Sequence, residues 1–185
     1  STFDAQRKAQ VREKLLLNYR QLILESLPIA IERAIKEAEV KLMLSVNESI
    51  DGSLRSDFSV SLQMLETRSH WISEQVCNSV IAALGAIAQN KILRSDQQKK
   101  PELDNNLSVV EKHDFEDWLA MNSAIRMIGE DLGYELNRIC YVFEVISDKT
   151  DDAVDCAVGP TNIIRAFQLG CNALEIPTTA YPIIY

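Results

Sequence analysis

The sequence predicts an all-α protein, a bundle of about five to seven helices with one long helix and an acidic or polar linker. Apolar residues recur at three- and four-residue steps through most of the chain, which is the spacing of one helix face. Only six glycines and five prolines occur in 185 residues, so the frequent turns of an all-β protein are missing. The hydrophobic content of 46% is sufficient for a buried core.

Two amphipathic helices are predicted before residue 52. The first runs from Asp4 to about Ser26, with the apolar positions Val11, Leu15, Tyr19, Leu22 and Ile23. Pro28 lacks an amide hydrogen, which costs little in a first helical turn, so a second helix is expected to begin there and to end near Asp51-Gly52. Its apolar face is Ile31, Ile35, Ala38, Leu42 and Val46.

A long helix is predicted from Asp57 to about Asn90, with a break between Thr67 and His70. Unbroken, it would be about 50 Å long at 1.5 Å per residue. Its apolar positions are Phe58, Leu62, Leu65, Ile72, Val76, Val80, Leu84 (or Ala83) and Ile87. The small residues around Gly85 predict that another helix approaches closely there, since a mid-helix glycine otherwise costs about 1 kcal/mol.

A polar segment, "SDQQKKPELDNN" at 95–106, is the predicted linker, because it has one buried-type residue and contains a proline. The predicted division is an amino-terminal helical part at 1–94, this linker, and a carboxy-terminal helical part at 107–185, with a single domain overall as the alternative. Helices are predicted in the second part at 115–128 and 134–146, joined or kinked near Gly133, and from Pro160 to before Pro177.

The inward residues of the second part are predicted to be Phe115, Trp118, Leu119 and Ile125, then Ile139, Val142, Phe143 and Ile146, and finally Ile163, Ile164, Phe167, Cys171 and Leu174. The chain ends in "TTAYPIIY", where four of the last five residues are apolar or aromatic. Such an end is unusual for a solvated terminus, so we expect a fragment of a longer protein.

Composition makes several classes of protein improbable. The net charge of −8 opposes non-specific nucleic-acid binding, so a protein partner, self-association or a small molecule is expected instead. A basic cluster, Lys91, Arg94, Lys99 and Lys100, contains no aromatic side chain to stack on bases. No apolar run reaches the ~18 residues of a membrane span. The four widely separated cysteines predict reduced thiols and a cytoplasmic location.

One cluster could bind a metal ion. His113 and Glu116 lie three residues apart on a predicted helix, and Glu111 or Asp117 could add an oxygen ligand, as in a metal-dependent enzyme. However, helical di-metal sites use Glu-x-x-His pairs from several helices, and this chain has no such pair and only one other histidine, His70. The acidic cluster Asp148, Asp151, Asp152 and Asp155 lacks the ligand spacing of an EF-hand.

In the alternative interpretation, the same acidic residues stabilise the start of a helix and bind no metal. Asp114, Glu116 and Asp117 in a first helical turn would complement the helix dipole, and Phe115, Trp118 and Leu119 would pack inward. Ser108 and Glu111 match a capping box, which would start the helix one turn earlier. We therefore assign no catalytic, cofactor-binding or metal-binding residue and predict no cofactor.

These segments resemble a bacterial family, the domain of unknown function 1631. The resemblance rests on "LSVVEKHDFEDWLA" (107–120), "GYELNRICYVF" (133–143) and "CAVGPTNIIRAFQLGCNAL" (156–174), with "LPIAIERAIKEAEVKLM" (27–43) resembling an amino-terminal helix. Residues 57–65 depart from the family's aromatic and basic run. The resemblance implies a longer protein and lends no catalytic residue.

Some members of the family carry a PilZ-like region, which implies cyclic di-GMP binding by other parts of a full-length protein. No RxxxR-type motif occurs in this chain, so no ligand site is transferred to it. The resulting expectation is a cytoplasmic bacterial regulatory or interaction module without catalytic activity. The rival is a metal-dependent enzyme centred on His113 and Glu116.

Overall fold

The computed structural model describes residues 2–88, 109–147 and 159–185 of the chain. Five α-helices occur in these ranges: α1 (Thr2–Glu48), α2 (Gly52–Ala88), α3 (Val109–Ser147), α4 (Pro160–Ala173) and α5 (Tyr181–Ile184). A 3₁₀ turn at Thr178–Ala180 precedes α5, and the described ranges contain no strand. The predicted all-α fold is therefore confirmed. The predicted linker at 95–106 lies outside the described residues.

Helix α1 is one continuous helix of 47 residues, about 70 Å long, so the predicted helix boundary at Pro28 is wrong. The proline removes one backbone donor. The apolar face nevertheless continues across it, because Ile23 and Ile31 are both buried. On the neighbouring helix, the hydroxyl of the buried Ser73 lies 3.5 Å from the Pro28 carbonyl. Tertiary packing on both sides of Pro28 holds α1 together.

The buried face of the first half of α1 differs from the predicted one. Leu16 and Ile23 are buried against α2, whereas Val11 and Leu22 are more than half exposed. At about 100° per residue, Val11 and Leu22 lie on the side of the helix opposite to the buried residues of α1. The apolar positions predicted for the first half of α1 therefore lie on two different faces of the helix. In the second half of α1 the prediction is correct, since Ile31, Ile35, Ala38 and Leu42 are buried.

Helix α2 begins at Gly52, five residues before the predicted start, and continues without the predicted break to Ala88. The Asp51 carboxylate caps it by accepting hydrogen bonds from the amides of Ser53 and Leu54, at 2.8 and 3.3 Å. Only residues 49–51 separate α1 from α2, so the two helices form an antiparallel hairpin. This hairpin is the frame of the fold.

Gly85 does not mediate the predicted close helix packing. It is exposed, and a Cβ atom added to it would meet no described atom within 4 Å. Gly170 on α4 does make a close contact, because its added Cβ would lie 3.5 Å from Ile72 Cγ2. Close packing against α2 therefore occurs at α4 and not at the small-residue run of α2.

Helix α3 is also continuous, so the predicted join near Gly133 is absent. It starts at Val109, the earlier of the two predicted starts, which places Asp114 to Asp117 beyond the first turn. The Ser108 cap itself lies outside the described residues. Helix α4 starts at Pro160 as predicted, and Phe167 and Cys171 are buried on its predicted face.

The main core lies where α1, α2, α4 and the carboxyl end meet. It contains Ile35, Leu42, Leu65, Ile72, Val76, Phe167, Cys171 and Tyr181. The carboxyl end is packed and not solvated: Ala180 and Tyr181 are fully buried, and the Thr179 hydroxyl donates to Asp57 Oδ2 at 3.0 Å. The Tyr181 hydroxyl donates to Asn172 Oδ1. The apolar ending of the sequence is thus explained by burial in the core.

Candidate interaction surface

Helix α1 carries exposed apolar side chains on a second face, which they share with Asn18, Arg33 and Lys36, and no described residue covers them completely. Val11 is 52% exposed, Leu22 55%, Ile29 61% and Val40 54%. At about 100° per residue, these four side chains fall within an arc of some 20° on the side opposite to the buried face. We call Val11, Leu22, Ile29 and Val40 the outer stripe. The apolar spacing of the sequence does not separate the outer stripe from the buried face.

A groove of about 480 Å³ lies beside the outer stripe, between α1 and the second half of α3. Its walls are mostly apolar, and its lining residues are Leu15, Asn18, Tyr19, Leu22, Glu135, Arg138, Ile139 and Val142. A smaller trough of about 210 Å³ shares Tyr19 and Leu22 with it and extends along α1 to Ala30. Grooves of this form accept an amphipathic helix in protein complexes.

The first half of helix α3 is linked to α4 by a buried hydrogen bond. Gln168 on α4 is 2% exposed, and its Nε2 donates to Asp117 Oδ2 at 2.6 Å. Met121 and Ala124 are buried on the same face of α3. This pairing, across 51 residues of sequence, holds the first half of α3 against α4. No local sequence pattern indicated it.

The predicted inward anchor of α3 is partly correct. The rings of Phe115 and Trp118 stack with their centroids 6.0 Å apart, and both side chains are partly buried. Leu119, however, is 49% exposed, so its predicted inward orientation is wrong. The face that contacts α4 passes through Asp117 and Met121, and Leu119 lies on the opposite side of the helix.

The structure does not assemble a metal site from the described residues. Within those ranges, no group of three or more His, Cys, Asp or Glu side chains could hold a metal ion. The side chain of His113 lies outside the described residues, Glu116 is exposed, and Asp117 contacts Gln168. His70 is on α2, where its Nδ1 lies 3.8 Å from Glu32 Oε1. The acidic cluster at Asp148–Asp155 and the basic cluster at Lys91–Lys100 also lie outside the described residues.

The chain matches one known protein family over most of its length. The model of the N-terminal domain of DUF1631, a protein of unknown function, matches residues 12–185. The chain belongs to the DUF1631 family. The resemblance of its helical segments to that family is thereby confirmed. No curated protein and no solved structure matches the chain.

A buried group of polar side chains lies near α5 in this DUF1631 domain. Cys171 is fully buried, and burial together with the nearby Asp117 carboxylate raises its pKa to about 12. Burial also raises the pKa values of Tyr181 and Tyr185. A thiol whose pKa is this high is not a thiolate nucleophile at neutral pH. Cys171 and Tyr181 belong to the main core, and Tyr185 packs against it.

The remaining described thiol of the domain has a similar environment. Cys77 on α2 is 6% exposed, and burial raises its pKa. Neither Cys77 nor Cys171 is in a disulfide, which agrees with the predicted reduced state for these two residues. The side chain of Cys140 and the whole of Cys156 lie outside the described residues. Among the described helices, none is long and apolar enough to cross a membrane.

Proposed function

We propose that this DUF1631 domain is a non-catalytic helical module that acts through protein contacts within a cytoplasmic bacterial regulatory protein. The observation that carries the proposal is the outer stripe together with the apolar groove beside it. The stripe residues recur on one face of α1, and at Leu22 they join the contiguous apolar lining of the groove. Contiguous exposed apolar surface marks a contact site, whereas isolated apolar side chains are ordinary.

The buried polar groups support the same proposal. The Asp117 carboxylate contacts Gln168, the Tyr181 hydroxyl donates to Asn172, and the Cys171 thiol is held protonated by burial. Each of these contacts fixes one element of the fold against another. Reactive groups of enzymes are instead presented to a cleft with a pKa adjusted toward the working pH.

Photo-crosslinking in cells tests the proposal. Benzoylphenylalanine replaces Leu22 on the outer stripe or Leu24 on another face of α1, and both side chains are about half exposed, at 55% and 51%. We expect the full-length protein to crosslink to a protein, either itself or another, from position 22 and not from position 24. Equal or absent crosslinking at the two positions contradicts the proposal.

The rival function is a metal-dependent enzyme that uses His113 and Glu116. Elemental analysis and the melting temperature with and without EDTA separate the two functions. The interaction module is expected to contain no stoichiometric metal and to melt at the same temperature in both buffers, because a bound metal would stabilise the folded state. A stoichiometric metal that His113→Ala removes would favour the enzyme.

The regulatory part of the proposal includes a link to cyclic di-GMP signalling through other parts of the full-length protein. The chain lacks an RxxxR-type motif, which supports placing any such ligand outside it. Isothermal titration of the 185-residue chain with cyclic di-GMP is therefore expected to give no binding heat. Saturable heat from this chain alone would place the ligand site within it and overturn this assignment.

A further inference from the structure

The spacing of the outer stripe has a symmetry that points to a specific partner. Val11 and Leu22 are separated by 11 residues, Leu22 and Ile29 by 7, and Ile29 and Val40 by 11. The order of spacings is the same when it is read from either end. A second α1 laid antiparallel on the first would therefore place Val11 opposite Val40 and Leu22 opposite Ile29, twice each, around a two-fold axis near residues 25 and 26.

The two halves of α1 carry opposite net charges, which favours the same antiparallel arrangement. Residues 2–24 contain five basic and two acidic side chains, whereas residues 25–48 contain three basic and five acidic ones. The first half thus has a net charge of +3 and the second half −2. An antiparallel arrangement brings opposite charges together, whereas a parallel one brings like charges together. Charge of this kind selects orientation in helix pairs.

One charged pair is well placed to contribute to this selection. Arg12 and Glu37 lie on the same flank of the outer stripe, and the register that pairs Val11 with Val40 brings Arg12 of one copy beside Glu37 of the other. Glu37 is exposed and Arg12 is partly exposed. Neither forms an ion pair with a described residue of its own chain. Both remain available to a partner.

We infer that this domain forms a two-fold symmetric dimer in which the outer stripes of two copies of α1 pack antiparallel. The inference rests on the proposed function and names its partner as a second copy of this chain. The stripe from Val11 to Val40 is about 44 Å long, which corresponds to about four heptads of a helix pair. The groove between α1 and α3 then receives the stretch of the partner's α1 that follows Ile29.

Sedimentation velocity of the 185-residue chain tests the dimer. The wild-type chain is expected to show a concentration-dependent dimer. Ile29→Lys should weaken it about a hundredfold, because the two-fold axis puts a lysine opposite Leu22 twice. The matched control is Leu24→Lys, which adds the same charge at a residue of similar exposure off the stripe. Circular dichroism verifies that both variants stay helical.

Charge exchange and disulfide trapping test the orientation. Arg12→Glu should weaken the dimer, and Arg12→Glu combined with Glu37→Arg should restore it. Val11→Cys chains and Val40→Cys chains, both also carrying Cys140→Ser and Cys156→Ser, should give a disulfide-linked heterodimer when mixed, while neither chain alone should link to itself. Self-linking of either variant would establish a parallel pair and overturn the inference.

A monomeric wild-type chain at high concentration also overturns the inference. In that case, crosslinking from position 22 to a different protein would still support the proposed interaction function with another occupant. Absence of any crosslinked protein would contradict both the dimer and the proposed interaction function. The two experiments therefore separate failure of the dimer from failure of the proposed function.

Discussion

The hydrogen bond between Gln168 and Asp117 is expected to be the strongest single polar link between α3 and α4. Its length of 2.6 Å and the 2% exposure of Gln168 describe a short, desolvated bond to a carboxylate. Such bonds contribute about 1.5–3 kcal/mol, roughly twice a neutral one. Gln168→Leu removes the donor and leaves the carboxylate facing an apolar side chain, so we expect a loss of about 2–3 kcal/mol in the free energy of unfolding.

A double-mutant cycle isolates the pair. Gln168→Leu, Asp117→Leu and the double variant are compared by urea unfolding followed by far-ultraviolet circular dichroism, and the coupling energy is expected to be about 1.5–3 kcal/mol. Leu169→Ala serves as the control on the same turn of α4, because Leu169 is 60% exposed and should change stability by less than about 0.5 kcal/mol. A coupling energy below about 0.5 kcal/mol refutes the reasoning.

Three further predictions concern stability. Gly85→Ala should raise the free energy of unfolding by about 0.8–1 kcal/mol in urea, because the added methyl meets no described atom and the helix gains propensity; destabilisation would indicate an unseen contact. Asp51→Ala should lower it by about 1 kcal/mol, with Asp51→Asn as the conservative control, because the carboxylate caps Ser53 and Leu54. The pKa of Cys171 is raised from 9.0 to about 12, so the unfolded chain loses the thiol proton first and stability should fall between these pH values, by up to about 1.4 kcal/mol per pH unit. Cys171→Ala should make that decline shallower.

The elements that could be predicted from the sequence are those with a single apolar face. Helices α2 and α4 show one stripe each, and their predicted core residues, such as Leu65, Ile72 and Phe167, are buried. The boundary predictions failed where tertiary packing overrides a local signal. Pro28 was expected to begin a helix, but buried neighbours on both sides keep α1 continuous.

The contact between α3 and α4 was not predictable in the same way. The sequence neighbours of Asp117 predict a ligand cluster or an acidic helix start, yet its carboxylate contacts Gln168 on another helix. Periodicity describes one helix at a time and contains no information about which side chain from a distant segment completes it. Leu119 was misplaced for the same reason, since α4 determines which face of α3 is buried.

The sequence of helix α1 does not determine which of its apolar side chains are buried, and this bears on function. Its first half has apolar side chains on two sides, so a three- and four-residue spacing can be traced through Val11 and Leu22 or through Leu16 and Ile23 with equal regularity. Only the packing of α2 identifies Leu16 and Ile23 as core. A helix whose only apolar contacts are those with the core would be expected to carry polar residues on its outer side. The outer stripe departs from this rule at four positions spread over about 44 Å, with the exposed Asn18, Arg33 and Lys36 between them on the same side. Burial of these four side chains against a second α1 accounts for the departure with the same hydrophobic driving force that forms the core.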